Sequence, residues 1–459
     1  MNSAKKLNRR TFLRRMGAAP LTPALAAAAR RLNIVLLLAD DLGYGDLSSY
    51  GCPDIRTPNI DSIGSQGMRF LQCYANAPEC TPTRTALMTG RYQQRVGGME
   101  CALGIGDVGR YDEAEWLQKR GELGLPVWET SIARVLKQQG YDTACIGKWH
   151  LGYPEKFWPN QHGFDEYFGL LGGSVDYFTH KEPNGDPRLY HNGKLVERTG
   201  YMTDLIAEEA NAWLQRRPPD KPFFLYVPFN APHLPTQGPG DAGVRPDANT
   251  WNKGTRATYI KMVERLDDRI GKILAQLDKM GAADNTLLIF LSDNGGIGIG
   301  RNTPLRGLKS QLWEGGIREP CMIRWPGVVP RGKTTSQPII TMDFFPTILN
   351  AVNAKAPRGR KLDGVDLVPF LRGKQPPFAR TLFWRFKRGK VVRKAVRDGD
   401  MKLVWDNGKE ELHNLSKDES EQKNLLPEAE PVARKLRAKL EAWEKEVAAP
   451  RLRDFKPGS

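Results

Sequence analysis

Four short apolar runs in this 459-residue chain end in side chains capable of acid–base or metal chemistry. Asn33 to Ala39 is followed by Asp40-Asp41, Tyr141 to Ile146 by Gly147-Lys148-Trp149-His150, Phe223 to Phe229 by Asn230-Ala231-Pro232-His233, and Leu287 to Ser292 by Asp293-Asn294. Taken singly, either acidic pair is also a good turn or helix-cap sequence. Taken together, Asp40, Asp41, Asp293 and Asn294 offer three carboxylates and an amide oxygen, hard donors that suit Ca²⁺ or Mg²⁺ better than Zn²⁺. A further element is Cys80-Thr81-Pro82-Thr83-Arg84. Pro82 fits the first turn of a helix, which puts Cys80 at the helix N-terminus, where unpaired N–H groups and the dipole favour an anion. Arg84, one turn up the same face, can reach back to the side chain of residue 80.

These groups meet only if the chain brings the run ends together. Each run is too short for a typical helix and rich in Val, Ile, Leu or Phe, which predicts buried strands. In open α/β sheets ligands bind beyond the carboxyl ends of the strands, so the run ends are candidates for one site. Between the runs, Thr130 to Gln139 and Tyr259 to Met280 carry apolar residues at helical spacing, the second with Ile260, Val263, Leu266, Ile270, Ile273, Leu274 and Leu277 on one stripe. This alternation, from Leu32 to about Gly373, predicts an α/β domain around a largely parallel sheet.

Beyond Gly373 the pattern shifts to alternating strands, Leu382 to Phe386, Val391 to Val396 and Met401 to Trp405. Asp406-Asn407-Gly408-Lys409 is a hairpin turn into a fourth strand, and a helix from near Pro431 aligns Val432, Leu436, Leu440, Trp443 and Val447. The expected organisation is a leader at 1–30, a catalytic domain at 31–375, and a small α+β subdomain at 376–459 that packs on it and is not itself catalytic.

Cys80-x-Pro82-x-Arg84 with Leu87-Met88-Thr89-Gly90-Arg91 resembles the signature of type I sulfatases. The rest of that pattern follows in order: Asp40-Asp41-Leu-Gly, Gly147-Lys148-Trp149-His150-Leu-Gly, Pro232-His233-Leu-Pro, Asp293-Asn294-Gly-Gly, Pro304-Leu-Arg-Gly-Leu-Lys309 and Glu314-Gly-Gly-Ile-Arg-Glu-Pro. The resemblance implies an alkaline-phosphatase-like sandwich, with a large mixed, mostly parallel sheet between helices and a small C-terminal antiparallel sheet carrying one helix. It implies that Cys80 is oxidised to formylglycine by a dedicated maturation enzyme. It further implies a Ca²⁺ site, with Mg²⁺ the alternative, from Asp40, Asp41, Asp293, Asn294 and the modified residue 80. Arg84, Lys148 and Lys309 would hold the sulfate oxygens and polarise the nucleophile, and His150 and His233 would move protons. An aldehyde hydrate has two hydroxyls: one attacks sulfur, and deprotonation of the other expels sulfate by C–O cleavage, which a plain serine or cysteine could not do.

Within the family, Gly169 to His180 and Pro304 to Gly316 are similar to the arylsulfatase B group, the N-acetylgalactosamine-4-sulfatases. The implied substrate is a sulfated carbohydrate bearing N-acetylgalactosamine or galactose sulfate, with loops Gly97 to Pro126 and Thr236 to Trp251 setting specificity. Alternative readings are a phosphoesterase or phosphonate hydrolase on the same fold, or a non-catalytic glycan-binding protein in which Cys80 stays a thiol. His162 and His413 read as structural, and His180 either lines the pocket or sits in a surface loop. Trp128, Trp158 and Trp313 either stack on a sugar or pack in the core.

The formal charge of +16 counts Lys5, Lys6, Arg9, Arg10, Arg14 and Arg15, all in a leader without acids. The remaining positive excess suits an anionic substrate, or simply a soluble basic surface. Arg9-Arg10-Thr11-Phe12-Leu13-Arg14 and the Ala-rich stretch from Met16 to Ala29 look like a twin-arginine export signal, the alternative being a basic amphipathic arm. The expected partners are the translocation machinery, the maturation enzyme and the glycan, with no nucleic acid. No later run reaches the ~18 apolar residues of a transmembrane helix, so the mature chain is expected in the periplasm or outside the cell. The six cysteines show no metal or disulfide spacing, and Cys145 and Cys321 read as buried hydrophobes.

Overall fold

β1 (Asn33–Ala39) is buried along its whole length and stands near the middle of the sheet that organises the molecule. The structure is a computed structural model that describes residue 1, residues 30–247 and residues 249–456. The leader reading at 1–30 falls almost wholly outside the described residues. The strands that matter here are β1, β2 (Met68–Tyr74), β3 (Asp142–Lys148), β4 (Glu166–Leu170), β5 (Phe223–Pro228), β6 (Thr286–Ser292) and β7 (Arg318–Arg324). Their spatial order is β2-β7-β6-β1-β5-β3-β4, with short strands completing an eleven-stranded sheet. β6, β1, β5, β3 and β4 run parallel, whereas β7 is antiparallel to both β6 and β2. The sheet is thus mixed and mostly parallel at its centre.

Strand alternation divides the core. Ile34, Leu36 and Leu38 face one side of the sheet, against Leu87 and Met88 of α1 (Cys80–Thr89) and Ile132, Val135 and Leu136 of α2 (Ile132–Gln138). Val35, Leu37 and Ala39 face the other, against α3 (Met202–Arg216) and α4 (Arg256–Lys279). α4 starts ahead of its apolar stripe because the Thr255 hydroxyl accepts from Thr258 N at 3.1 Å and caps the helix. Cys145 and Cys321 are buried, as their surroundings predict.

β8 (Thr381–Arg388), β9 (Val391–Asp398), β10 (Met401–Asp406) and β11 (Lys409–Asn414) form an antiparallel four-stranded sheet covered by α5 (Glu430–Glu446). Leu436, Leu440 and Trp443 pack inward as the helical spacing predicts. Val432 does not: it is exposed, and Ala433 takes the inward position, because the stripe begins one residue later. The same apolar cluster contains Tyr74, Ile317 and Ile340, so this sheet shares its core with the large one.

A buried ionic knot lies at that junction. Lys402 Nζ is 2.8 Å from Glu314 Oε1 and 2.9 Å from Glu421 Oε1, and all three side chains are excluded from solvent. Tyr74 donates its hydroxyl to Glu314 Oε2 at 2.6 Å. Removing one member of such a set leaves uncompensated buried charge, which costs about 3–5 kcal/mol. Lys402→Met is accordingly expected to lower the stability read from urea unfolding by that amount.

Candidate active site

Register brings the acidic pairs together. Ala39 of β1 pairs with Ser292 of β6, so Asp40-Asp41 and Asp293-Asn294 leave neighbouring strands at the same level. Asp41 N donates to Asp293 Oδ1 at 3.2 Å, and Asn294 Nδ2 donates to Asp41 Oδ1 at 2.7 Å. All four residues are fully buried. Asp40 Oδ1 and Asn294 Oδ1 are buried and have no hydrogen-bond partner among the described residues. Unpaired buried oxygens are uncommon, and a set of carboxylate and amide oxygens with two left open fits a hard cation such as Ca²⁺.

α1 brings Cys80 and Arg84 to the same place. Glu79 has extended backbone and precedes the first helical residue, Cys80, so the thiol stands at the helix N-terminus. Lys148, at the end of β3, places Nζ 3.5 Å from Cys80 Sγ and 2.5 Å from Asp40 Oδ2. Lys309 Nζ lies 2.7 Å from Asp41 Oδ2 and 3.0 Å from His233 Nε2. Ligand atoms of Asp40, Asp41, Cys80 and His233 all fall within 4.8 Å of one another.

Arg84 behaves differently from the sequence expectation. Its Nε and Nη2 donate to Asp293 Oδ2 at 3.0 and 2.7 Å, and its Nη1 donates to Lys148 O at 2.7 Å. No hydrogen bond runs from Arg84 to Cys80 among the described residues. The helix turns the guanidinium toward the strand ends, so it holds a carboxylate and a backbone carbonyl in place.

Burial sets the protonation states. It pushes the Cys80 thiol up to about 12, although Lys148 and Lys309 pull the other way. Burial, followed by Lys309, drives His233 down to about 3, and burial with Lys148 and Arg84 takes His150 well below the ordinary imidazole value. Burial and neighbouring Asp40 raise Asp293 to about 6 despite Arg84. Burial alone would raise Asp41, but Lys309, His233 and Lys148 outweigh it and hold the carboxyl below its usual range. Both histidines are therefore neutral. His233 Nδ1 contacts Leu234 O at 2.8 Å, leaving Nε2 to face Lys309. His150 Nε2 contacts Leu103 O at 3.1 Å, leaving Nδ1 without a partner. A Cβ on Gly173 would stand 2.6 Å from His150 Cε1, so this close approach requires glycine.

A cavity of about 430 Å³ opens over Cys80, His150, His233 and Lys309. Leu103, Ile105 and Arg110 line it from one loop named for specificity, and Trp251 from the other. Glu79 and Arg388 also line it, and sequence reasoning missed both. Arg388 comes from β8, in the sheet expected to pack on the large domain without being catalytic, and no local pattern marks it. His162, His180 and His413 are buried outside the cavity lining, His180 Nε2 contacting Gly200 O at 3.1 Å. Trp128, Trp158 and Trp313 are also outside it; Trp313 packs beneath the Arg306 guanidinium, 3.6 Å from the ring centroid.

A mostly parallel sheet with hard oxygen donors and a helix-borne cysteine at its carboxyl edge is the arrangement of an alkaline-phosphatase-like fold. Residues 32–354 match the sulfatase family model, and residues 308–446 match the C-terminal model of N-sulphoglucosamine sulphohydrolase. N-acetylgalactosamine-6-sulfatase of Canis lupus familiaris is 34% identical over 76% of this chain and 68% of its own length. Steryl-sulfatase of Mus musculus is 33% identical over 76% of this chain and 67% of its own. The crystal structure of Ps i-CgsB in complex with k-i-k-neocarrahexaose superposes with a TM-score of 0.80 at 33% identity, covering 90% of this chain and 93% of that one. The chain belongs to the sulfatase family, as a type I, arylsulfatase-like enzyme.

Trp251 faces the cavity and donates Nε1 to Ser174 Oγ at 2.9 Å, whereas His180 does not line it. Trp251→Ala is expected to raise KM for a saccharide substrate about tenfold, the loss of one aromatic face. His180→Asn, compatible with the residue's left-handed backbone at φ 57°, should lower thermal stability by about 1 kcal/mol and leave KM unchanged. Steady-state kinetics and thermal melting on the two variants check this.

Proposed function

We propose that this enzyme removes sulfate from a sulfated carbohydrate, using formylglycine formed from Cys80 and a Ca²⁺ ion held by Asp40, Asp41, Asp293, Asn294 and the modified residue 80. The observation that carries the reading is the buried set of oxygen donors, two of them unpartnered, beside a helix N-terminal cysteine that contacts Lys148. When present, the formylglycine hydrate supplies a paired-hydroxyl nucleophile and the cation supplies positive charge for it and for the sulfate oxygens.

The chain's own residues do the rest. Lys148 and Lys309 stand on either side of the acidic pair and bind sulfate oxygens as point charges. Arg84 fixes Asp293 and the end of β3, acting through them. Lys309 holds a proton against neutral His233 Nε2, and this pair delivers it to the departing alcohol. His150, neutral and with Nδ1 open, receives the proton of the second hydroxyl. Asp40, Asp41, Arg84, Lys148, Asp293 and Asn294 are closed off from water, whereas Lys309 and His233 stay partly exposed at the cavity, where the substrate enters.

Similarity to N-acetylgalactosamine-6-sulfatases and to a structure holding k-i-k-neocarrahexaose supports a sulfated glycan, consistent with N-acetylgalactosamine or galactose sulfate. We read residues 1–30 as a twin-arginine leader, 31–375 as the catalytic domain and 376–459 as the small subdomain, with maturation by a formylglycine-generating enzyme before export to the periplasm or beyond. No helix among the described residues is long and apolar enough to cross a membrane.

Peptide mass spectrometry across Cys80 from a host that matures the chain should show the aldehyde or its hydrate. Cys80→Ala should lower kcat on 4-methylumbelliferyl sulfate by about a thousandfold or more, with a native melting profile. Chelation should abolish turnover and lower the melting temperature, and added Ca²⁺ should restore both. A thiol alone in active enzyme, or indifference to chelation, overturns the reading.

A further inference from the structure

Two guanidinium groups line the cavity that the chemistry above does not use. Arg388 ends β8, and Arg110 follows the loop that carries Leu103 and Ile105. The turn after Arg388 is tied to that loop, Gly389 N donating to Arg110 O at 2.5 Å. Arg388 Nη1 pairs with Glu79 Oε1 at 2.7 Å. Glu79 is engaged elsewhere as well: Oε1 accepts from Ser310 Oγ at 2.6 Å, and Oε2 accepts from Ala102 N at 2.7 Å. Among the described residues Arg110 has no carboxylate partner and no side-chain hydrogen bond. Glu79 is the only acid in the cavity lining among the described residues, and Ser174, Trp251 and Asn252 are uncharged.

A substrate bearing one sulfate would spend its charge on Lys148 and Lys309 and leave this wall with an unanswered positive excess. A guanidinium presents a planar fork that matches a sulfate oxyanion. We infer that Arg110 and Arg388 form a second anion subsite, which selects saccharides carrying another sulfate beside the one removed, on the same sugar or the adjoining one. This rests on the sulfated-carbohydrate reading above. Glu79 holds Arg388 in position, and its single negative charge, already paired with that guanidinium, does not neutralise Arg110 as well.

The test compares kcat/KM on matched pairs: monosulfated against 4,6-disulfated galactose, the same pair for N-acetylgalactosamine, and monosulfated against disulfated neocarrabiose, in which the second sulfate lies on the adjoining sugar. The native enzyme is expected to favour the disulfated member of at least one pair about tenfold or more. Arg110→Gln breaks no ion pair and should cut that preference about fivefold, Arg110→Lys should keep part of it, and Arg388→Gln should act in the same direction. The preference should also weaken as salt rises. Absence of a preference in every pair, or its survival in Arg110→Gln, overturns the subsite while leaving the sulfatase chemistry standing. Turnover of 4-methylumbelliferyl sulfate with none of the six saccharides hydrolysed would overturn the carbohydrate reading and the subsite with it.

Discussion

The site depends on one buried contact, the two-pronged hydrogen bond from Arg84 to Asp293. It joins α1 to the end of β6 and, through Lys148 O, to the end of β3. Besides it, the helix carrying Cys80 is tied near the sheet by Thr81, whose hydroxyl donates to His150 O at 3.0 Å, and by apolar packing. Burying a guanidinium and a carboxylate is costly in isolation and tolerable only when both are paired and further hydrogen-bonded. That condition holds across the floor of the site, where Arg84, Lys148 and Lys309 stand among Asp40, Asp41 and Asp293. Each charge is held by its neighbours, so a shift of one side chain alters the protonation of several.

Backbone geometry adds a second constraint. Asp41 and His150 adopt left-handed conformations, at φ 63° and 57°, which are uncommon for residues other than glycine and cost about 1–3 kcal/mol each. Each is the second residue past a strand whose register is fixed by pairing on two sides. The sheet can sustain such turns because its parallel strands are buried on both faces and cannot slip without exposing a whole row of apolar side chains. Reversal of the chain at these points aims Asp41 toward Lys309, and His150 toward Leu103.

Much of this was legible in the residues. The apolar runs followed by Asp40 and Asp293 end where β1 and β6 end, whereas β3 carries on two residues past its apolar run, through Lys148. What could not be read was direction. Spacing put Arg84 on the same helical face as Cys80, but the carboxylate across the gap outcompetes a thiol for a guanidinium. Composition likewise could not show that β8 reaches back over the cavity, since Arg388 looks like any charged residue before a turn. The helical stripe on α5 named Val432 where Ala433 is the buried residue, a difference of one position that only the facing sheet decides. Trp128, Trp158 and Trp313, each readable as a sugar platform or as packing, lie outside the cavity lining, and Trp251, which faces it, sits in a loop without periodicity.

Cys80 is 1% exposed in the finished fold. The contacts that seal it come from far along the chain: Arg84 waits for Asp293, which is 209 residues later, and Glu79 waits for Arg388, which is 309 residues later. Such distant closures form late, after the intervening chain has been made. During synthesis, the segment around Cys80 therefore remains an open peptide while most of the protein is still unmade. A macromolecular catalyst that alters this thiol needs the chain before these contacts close, and the completed fold then keeps the product out of reach of other large molecules.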